Sequence, residues 1–238
     1  MNFSRVSRTS ILAILLILLS GLGNAGQLDD ANAAYEKGDY AQAFKLLQSM
    51  AMQGDADAQF LLGVMYTNGK EGVAQDYKQA IGWHRKAAAQ GHAVAQYHLA
   101  GMYFKGQGVP QNYKEAVDWF RKAATQGYAA AQLVLGAMYL EGLGVAQDYT
   151  QSADWFRKAS TQGNLDAQYK LGVMYTKGEG VPQDYVRAHM WFNLAATQGD
   201  NDAVKSRDLA ASKMTVVQIA KAQKLARECE QRNYKGCE

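Results

Sequence analysis

The side chains best suited to metal binding or acid–base chemistry are few in this chain. It has 238 residues, and its four histidines are His84, His92, His98 and His189. No two of them are four residues apart and no His-Glu-x-x-His motif occurs, so their spacing gives no support for a metal centre. His84 is expected to pack in the core, because equivalent positions of the repeats described below hold phenylalanines: Phe120, Phe156 and Phe192.

Motifs for covalent or nucleotide chemistry are absent as well. The chain has no Gly-x-Ser-x-Gly, no glycine-rich phosphate loop that ends in Lys-Ser/Thr, and no dinucleotide-binding fingerprint. Asp118 and Asp154 could be imagined as an acid pair, but they occupy equivalent places in successive repeats, where solvated surface charge is the simpler interpretation. The sequence therefore predicts no catalytic residue, no metal site and no cofactor.

The first 25 residues have the pattern of a secretory signal peptide. Arg5 and Arg8 precede the apolar run Ile11–Leu19, and small residues follow in Gly21–Ala25. The apolar run is far shorter than the about 20 residues of a membrane-spanning helix. We expect cleavage after Ala25 and a mature protein in the periplasm or outside the cell. Without the two arginines the chain is nearly neutral, which argues against nucleic-acid binding.

The two cysteines, Cys229 and Cys237, both lie near the C-terminus. In a chain that is exported, we predict a disulfide between them. A redox pair or a pair of metal ligands remains the alternative, although neither a Cys-x-x-Cys motif nor a nearby histidine supports it.

An internal repeat predicts the secondary structure of the chain. Tryptophans recur every 36 residues, at Trp83, Trp119, Trp155 and Trp191. Tyrosines keep the same spacing, at Tyr77, Tyr113, Tyr149 and Tyr185. A period in this range is typical of a helical solenoid, and we expect the four tryptophans to be core residues.

Each repeat is predicted to form two helices. Ala131, Leu135 and Tyr139 are spaced i, i+4, i+8 and share one face of a first helix. A Gly-x-Gly segment after it supplies residues that can adopt positive φ angles. Asp148 stands where the second helix needs an N-cap. The sequence thus predicts an all-α protein with about twelve helices and no sheet.

These motifs resemble the Sel1-like repeats, which are relatives of the tetratricopeptide repeat. The resemblance rests on Ala-x-x-x-Leu-Gly-x-x-Tyr, Gly-x-Gly-Val, Asp-Tyr and Trp-Phe-x-Lys-Ala-x-x-Gln-Gly, which recur from Ala56 to Gly199. It implies a right-handed α-solenoid. The predicted segments, in chain order, are a signal peptide (1–25), a tetratricopeptide-like helix pair (26–55), four Sel1-like repeats (56–91, 92–127, 128–163, 164–199) and capping helices with the disulfide (200–238).

The resemblance implies a non-enzymatic scaffold or adaptor that binds a peptide or protein in a concave groove. Its partner would be an unidentified envelope or secreted protein, and its source a Gram-negative bacterium. Some secreted relatives have been described as β-lactamase-like, so a β-lactamase-like or cell-wall-fragment-binding protein is the alternative. The motifs of serine acyl transfer, Ser-x-x-Lys and Lys-Thr-Gly, are absent here. A secreted factor that contacts a host cell is a third hypothesis.

In arrays of this kind the first helices line the groove, where two rows of residues vary between repeats. The two rows and their flanking charges contain Phe60, Tyr97, Leu133, Tyr169, Phe104, Leu140, Lys105 and Glu141. An apolar strip with charges at its rim suits a peptide with a few aromatic or aliphatic anchors. The alternative is that the first row, which begins at Phe60, fills the seam between adjacent repeats.

Overall fold

The computed structural model describes residues 26–197, 199 and 201–237, and these residues form twelve helices and no strand. The predicted signal peptide of residues 1–25 lies outside this part of the chain. The helices are α1 (26–36), α2 (Tyr40–Met52), α3 (Ala56–Asn68), α4 (Tyr77–Ala89), α5 (Ala93–Lys105), α6 (Tyr113–Thr125), α7 (Ala129–Glu141), α8 (Tyr149–Ser160), α9 (Leu165–Lys177), α10 (Tyr185–Ala196), α11 (Asn201–Ala211) and α12 (Val216–Gln231). The predicted all-α solenoid of helix pairs is confirmed. Among the described helices, none is long and apolar enough to cross a lipid bilayer.

The helices divide between two compact units. The N-terminal unit contains residues 26–95 and 107–109, and the C-terminal unit contains residues 96–106 and 110–237. Within the C-terminal unit, α8 packs on both α7 and α9, and α10 packs on both α9 and α11. Helices α8 and α10 therefore each pack between two first helices, as in other solenoids.

Polar side chains at the helix N-termini fix where the second helices begin. Each of four such residues accepts a hydrogen bond from the backbone N–H three positions on: Asp76, Asn112, Asp148 and Asp184. At α12 the Thr215 hydroxyl accepts from the N–H of Gln218, and the Gln218 side chain accepts from the N–H of Thr215. These bonds satisfy N–H groups that have no partner inside the helix.

The second glycine of the Gly-x-Gly loop brings each loop onto the preceding repeat. Gly144 has a φ of +72°, and a side chain there would collide with the backbone carbonyl of Tyr113. Gly180 bears the same relation to Tyr149. The left-handed φ and the close approach both require glycine, so these loops lock successive repeats together.

An aromatic ring of the second helix packs on a small residue of the first helix. A Cβ atom at Gly136 would lie 2.8 Å from the ring of Phe156, so the two helices touch closely here. In the N-terminal unit, the buried His84 takes the same place against Gly63. The imidazole thus fills the position that phenylalanine fills in the later repeats.

Buried glutamines connect consecutive repeats by hydrogen bonds. Gln132 Nε2 donates to the carbonyl oxygen of Ala124 at 3.0 Å, and Gln162 Nε2 donates to Gln132 Oε1 at 2.8 Å. The same pair of bonds surrounds Gln59 in the N-terminal unit. A buried amide whose donor and acceptor are both satisfied sets the register of one repeat on the next.

The four tryptophans are not equally buried. Trp155 and Trp191 have 8% and 1% of their surface exposed, whereas Trp83 and Trp119 are half-buried. The Lys122 ammonium lies 3.7 Å from the centre of the Trp119 ring, and lysines cover the rings of Trp83 and Trp155 in the same way. The first three tryptophans therefore combine core packing with a cation–π contact at the surface.

The C-terminal helix is joined to the last repeats by packing and by a disulfide. Helix α12 packs on α10, and Cys229 forms a disulfide with Cys237, with their Cα atoms 5.2 Å apart. The intervening loop carries Tyr234, which has a positive φ of 64°. A Cβ atom at Gly163, in the turn between α8 and α9, would lie 3.2 Å from the Tyr234 ring. The disulfide loop therefore places an aromatic ring on the third repeat.

Candidate binding face

Two adjoining cavities lie among the first helices of the C-terminal unit. The α7–α9 cavity has a volume of about 390 Å³ and the α9–α11 cavity a volume of about 280 Å³. Val173 and Lys177 of α9 line both cavities. We call the surface formed by the two cavities and the residues between them the α7–α11 face.

The α9–α11 cavity is mainly apolar. Its apolar lining comes from α9, α10 and α11, and contains Val173, Tyr185, Phe192, Leu209 and Ala210. Leu209 has 65% of its surface exposed, which is unusual for leucine. Lys177 and Lys213 are the charged residues of the lining, and no carboxylate is among the described residues that line it.

The α7–α9 cavity is more polar and carries charges of both signs. Glu141 of α7 and Glu179 of the α9–α10 loop line it, together with Lys170 and Lys177 of α9. Lys177 Nζ lies 3.6 Å from Glu179 Oε1. Leu140 and Tyr169 contribute apolar surface between these charges. The two cavities therefore differ in charge, with both carboxylates in the α7–α9 cavity.

Glutamines of the loops hold the helix ends on which these residues stand. Gln147 Nε2 donates to the carbonyl oxygen of Leu140 at 2.7 Å, and Gln183 Nε2 donates to that of Thr176 at 2.8 Å. Carbonyl groups in the last turn of a helix have no intrahelical donor, so each bond satisfies an otherwise open acceptor. The backbone of the last turn of α9, from which Lys177 projects, is thus held by the loop that follows it.

Tyr169 connects the linings of the two cavities. Its ring centre lies 5.5 Å from that of Phe192, and its hydroxyl accepts a hydrogen bond of 3.4 Å from the Ser206 hydroxyl. Tyr169 lines the α7–α9 cavity, whereas Phe192 and Ser206 line the α9–α11 cavity. Contacts from both α10 and α11 therefore hold this side chain between the two sites.

The structure brings some of the predicted groove residues to these cavities and places others in the seam between helices. Leu140, Glu141 and Tyr169 line the α7–α9 cavity. Tyr97 instead contacts the rings of Phe120 and Tyr128, at centre-to-centre distances of 5.5 Å and 5.2 Å. Burial in this seam, with a smaller contribution from Tyr128, raises the pKa of the Tyr97 phenol.

Three further residues of the predicted rows also lie outside both cavities. Leu133 is partly buried and packs on the core formed around α8, α9 and α10. Phe104 packs edge-on against Tyr113, with ring centres 5.1 Å apart, and Lys105 is exposed. The predicted rows therefore fall into two groups. Leu133 and the α5 residues pack between helices or face solvent. The residues at the end of α7 and in the middle of α9 line the α7–α9 cavity.

Phe60, the first residue of the predicted row, belongs to the N-terminal unit. It stacks on His92, with ring centres 5.0 Å apart. His92 Nδ1 accepts a hydrogen bond from the N–H of Ala95, and its Nε2 lies 3.0 Å from Asp57 Oδ1. With Nδ1 as acceptor, the ring proton is assigned to Nε2. His92 thus acts as a helix cap that Phe60 and Asp57 hold in place.

The charged residues weighed as catalytic acids are bound to neighbouring arginines. Asp118 accepts from Arg121 at 2.9 Å, and Asp154 accepts from Arg157 at 2.6 Å. Arg121 also donates to Tyr139 Oη at 3.2 Å, and this hydrogen bond is the main reason why the pKa of its guanidinium is raised. In the described part of the chain, no group of three His, Cys, Asp or Glu side chains is arranged to hold a metal ion.

The contribution of α11 was not predicted from the repeat pattern. Leu209 and Lys213 follow Gly199, where the 36-residue period ends, so no equivalent positions indicate which side faces α9. A local signal exists, because Ser206, Leu209 and Lys213 are spaced i, i+3, i+7 and share one helical face. That spacing identifies a face but gives no information on the partner helix.

A family model described as the Sel1 repeat matches the chain in five consecutive segments: 21–55, 56–92, 93–128, 129–164 and 165–200. The first segment matches the same model as the other four, although its motifs favoured a tetratricopeptide-like pair. The matched residues make up more than half of the chain. No curated protein matches the chain.

Two solved structures are similar to the chain along much of its length. A protective antigen from uropathogenic Escherichia coli strains, which displays an SLR fold, is 37% identical with a TM-score of 0.77, over 89% of this chain and 47% of that one. A Sel1 repeat protein from Oxalobacter formigenes is 41% identical with a TM-score of 0.64, over 69% of this chain and 47% of that one. The chain therefore spans about half the length of each.

Proposed function

The chain belongs to the Sel1-repeat family, and from this premise we propose that it is an exported, non-enzymatic scaffold that binds a peptide segment of a partner protein on the α7–α11 face. Sel1-repeat proteins are generally scaffolds for protein–protein interaction. The observation that carries the proposal is the pair of adjoining cavities that share Val173 and Lys177.

The size and lining of the cavities support a peptide as the occupant. The two cavities, at about 280 Å³ and 390 Å³, lie just below and near the low end of the roughly 300–1,000 Å³ of pockets that enclose small molecules. Two such cavities in a row suit successive side chains of one segment, with apolar anchors inside and charges at the edges. A peptide of this kind could cross α7, α9 and α11 without entering a closed pocket.

Export is supported by the C-terminal disulfide. Disulfides persist in oxidising compartments such as the periplasm and the extracellular space, and are rare in the cytosol. The bond between Cys229 and Cys237 fits that setting, as does the signal-peptide pattern of residues 1–25. We therefore assign the scaffold to the periplasm or the outside of a Gram-negative bacterium.

Site-specific photocrosslinking in living cells tests the proposal. A photoreactive amino acid replaces Lys170, an exposed residue of the α7–α9 cavity, in the full-length protein. The matched control replaces Lys158, an exposed lysine of α8 that covers the Trp155 ring and lines neither cavity. We expect a discrete crosslinked partner from position 170 and none from position 158.

Two outcomes would contradict the proposal. Equal crosslinking from positions 170 and 158 would show that the partner does not select the α7–α11 face. No discrete product from either position, in cells where the protein is folded and protease-resistant, would argue against a stable partner at this face. Cell fractionation of the same strains checks export, because the proposal requires the protein in the periplasm or the medium.

A further inference from the structure

We infer that the α9–α11 cavity is the subsite that sets specificity, and that it takes an aliphatic or aromatic side chain whose neighbour in the peptide is a carboxylate residue. The inference rests on the proposed function and adds to it the chemistry of the partner. Its basis is the unequal distribution of apolar surface and charge over the α7–α11 face.

The apolar part of the recognition comes from the lining of the cavity. Phe192 and Ala210 are almost fully buried and form its base, whereas Leu209 stands at the edge with most of its surface exposed. A side chain that enters would cover Leu209 and displace water from a mainly apolar surface. Burial of this kind is favourable by about 25 cal/mol per Å² of apolar area. An aliphatic or aromatic side chain in this cavity would therefore contribute to binding.

The charged part comes from two lysines that flank this apolar lining. Lys213 forms no ion pair with any of the described residues, and Lys177 lies 3.6 Å from Glu179, a residue that lines the neighbouring cavity. The α9–α11 cavity itself therefore has two ammonium groups and no carboxylate among its described lining residues. A carboxylate beside the anchor would be attracted, and a lysine or arginine there would be repelled.

The neighbouring cavity gives the bound peptide a direction. Glu141 and Glu179 line only the α7–α9 cavity of the two, where Lys170 and Lys177 offset their charge, so this cavity carries no excess of positive charge. The positive charge of Lys213 lies at the opposite end, on α11. We therefore expect the acidic residue of the ligand at α11, and no acidic preference of comparable strength at α7.

Selection from a displayed random peptide library tests this inference with three versions of the full-length protein. The first is the wild type, the second is Lys213→Glu, and the third is Lys221→Glu, which makes the same charge change at an exposed position of α12 outside both cavities. We expect the wild type and Lys221→Glu to select peptides with Asp or Glu next to one apolar residue. Lys213→Glu should select Lys or Arg at that place.

Affinities of the selected peptides give the size of the effect. A synthetic peptide chosen by the wild type should bind Lys213→Glu at least about tenfold more weakly, because the charge reversal replaces an attraction with a repulsion, and should bind Lys221→Glu as well as the wild type. Leu209→Ala should weaken binding of the same peptide several-fold while preserving its preference for acidic residues. Because Leu209 and Lys213 are exposed, folding of these variants should be unaffected.

The outcomes distinguish this inference from the proposed function. Peptides that show no acidic preference, or the same preference with wild type and Lys213→Glu, would overturn the inference and leave a peptide-binding face in place. If no version of the folded protein selects any peptide, both the inference and the peptide-binding role fail. Binding that persists in Leu209→Ala at full strength would exclude the α9–α11 cavity as the anchor site.

Discussion

Helices α6 and α10 occupy equivalent places in two repeats of the C-terminal unit, yet their outer faces are opposite in character. Three equivalent positions hold Lys114, Asp118 and Lys122 in α6, and Val186, Met190 and Leu194 in α10. The three α6 residues are exposed, whereas Met190 and Leu194 are buried and Val186 is half-buried. One helical framework thus supports either a solvated or a buried outer face.

The difference follows from α12, which packs on α10. A small cavity between the two helices is lined by Met190 together with Leu225 and Cys229 of α12. The apolar residues of α10 recur at i, i+4, i+8, so they form one stripe for a further helix to cover. In α6, by contrast, Lys122 covers the Trp119 ring and is exposed to solvent. The apolar stripe on α10 is thus the surface on which the last helix packs, and α6 has charged residues at the same three positions.

Placing an α6 residue at the equivalent position of α10 should have the largest effect on stability. We predict that Leu194→Lys, which installs the residue of α6 and α8 at that position, lowers the free energy of unfolding by about 3–5 kcal/mol. Leu194 is fully buried, so the variant loses apolar packing and must accommodate a charge. Chemical denaturation followed by circular dichroism measures the loss.

The reciprocal variant is the control for this prediction. Lys122→Leu removes an exposed ammonium and its contact with Trp119, and should change stability by less than about 1 kcal/mol. Similar losses for Leu194→Lys and Lys122→Leu would mean that α12 does not shield α10 from solvent in the way described.

The repeating framework could be predicted from the sequence because its determinants recur at fixed spacing. The N-caps, the Gly-x-Gly loops and the glycines under the aromatic rings depend on local conformation or on contacts within one repeat unit. Asp148 accordingly caps α8, and Gly144 in its Gly-x-Gly loop has a positive φ, as predicted. The pattern did not predict that Trp119 is half-buried, because exposure depends on which further helix lies outside.

The candidate binding face was predicted in part. Leu140, Glu141 and Tyr169 line a cavity. Their positions, at the end of α7 and in the middle of α9, could be predicted from the repeat. Tyr97 has the same repeat position as Tyr169, yet it packs against Phe120 and Tyr128. Whether a given row position meets a ring or an open cavity depends on non-repeating neighbours, which a periodic comparison does not contain.

Removal of the disulfide should lower stability by a smaller amount, and the change should be confined to α10 and α12. We predict that the Cys229→Ser/Cys237→Ser variant is less stable by about 2–3 kcal/mol, the chain-entropy value for a loop this short. The loss should free Tyr234 from Gly163 and raise hydrogen exchange in α12 and α10.

Hydrogen exchange measured by mass spectrometry gives the test of location. Amides of α6 should keep their protection in the disulfide-free variant, because α12 packs on α10 and the ring of Tyr234 lies at Gly163, in the α8–α9 turn. Equal loss of protection in α6 and α12 would show that the disulfide stabilises the whole unit and not its last helices.

The smallest effect concerns His189 of α10, whose equivalent in α6 is Val117. Its side chain has 3% of its surface exposed, and Nδ1 has no hydrogen-bond partner among the described residues. Burial, and secondly the charge of Arg207, lower the pKa of His189 below its ordinary value, while Asp208 opposes this. Protonation is therefore more favourable in the unfolded chain than in the folded protein. The stability that neutral His189 contributes is fully present above the unfolded pKa of about 6.5, and it is lost as the pH falls towards the pKa of the folded state.

We predict that the wild type loses more stability than His189→Val between pH 7.5 and pH 5, when both are unfolded by denaturant at each pH. Parallel pH profiles for the two proteins would show that the imidazole is not protonated on unfolding, and that α10 is no more sensitive to acid than α6.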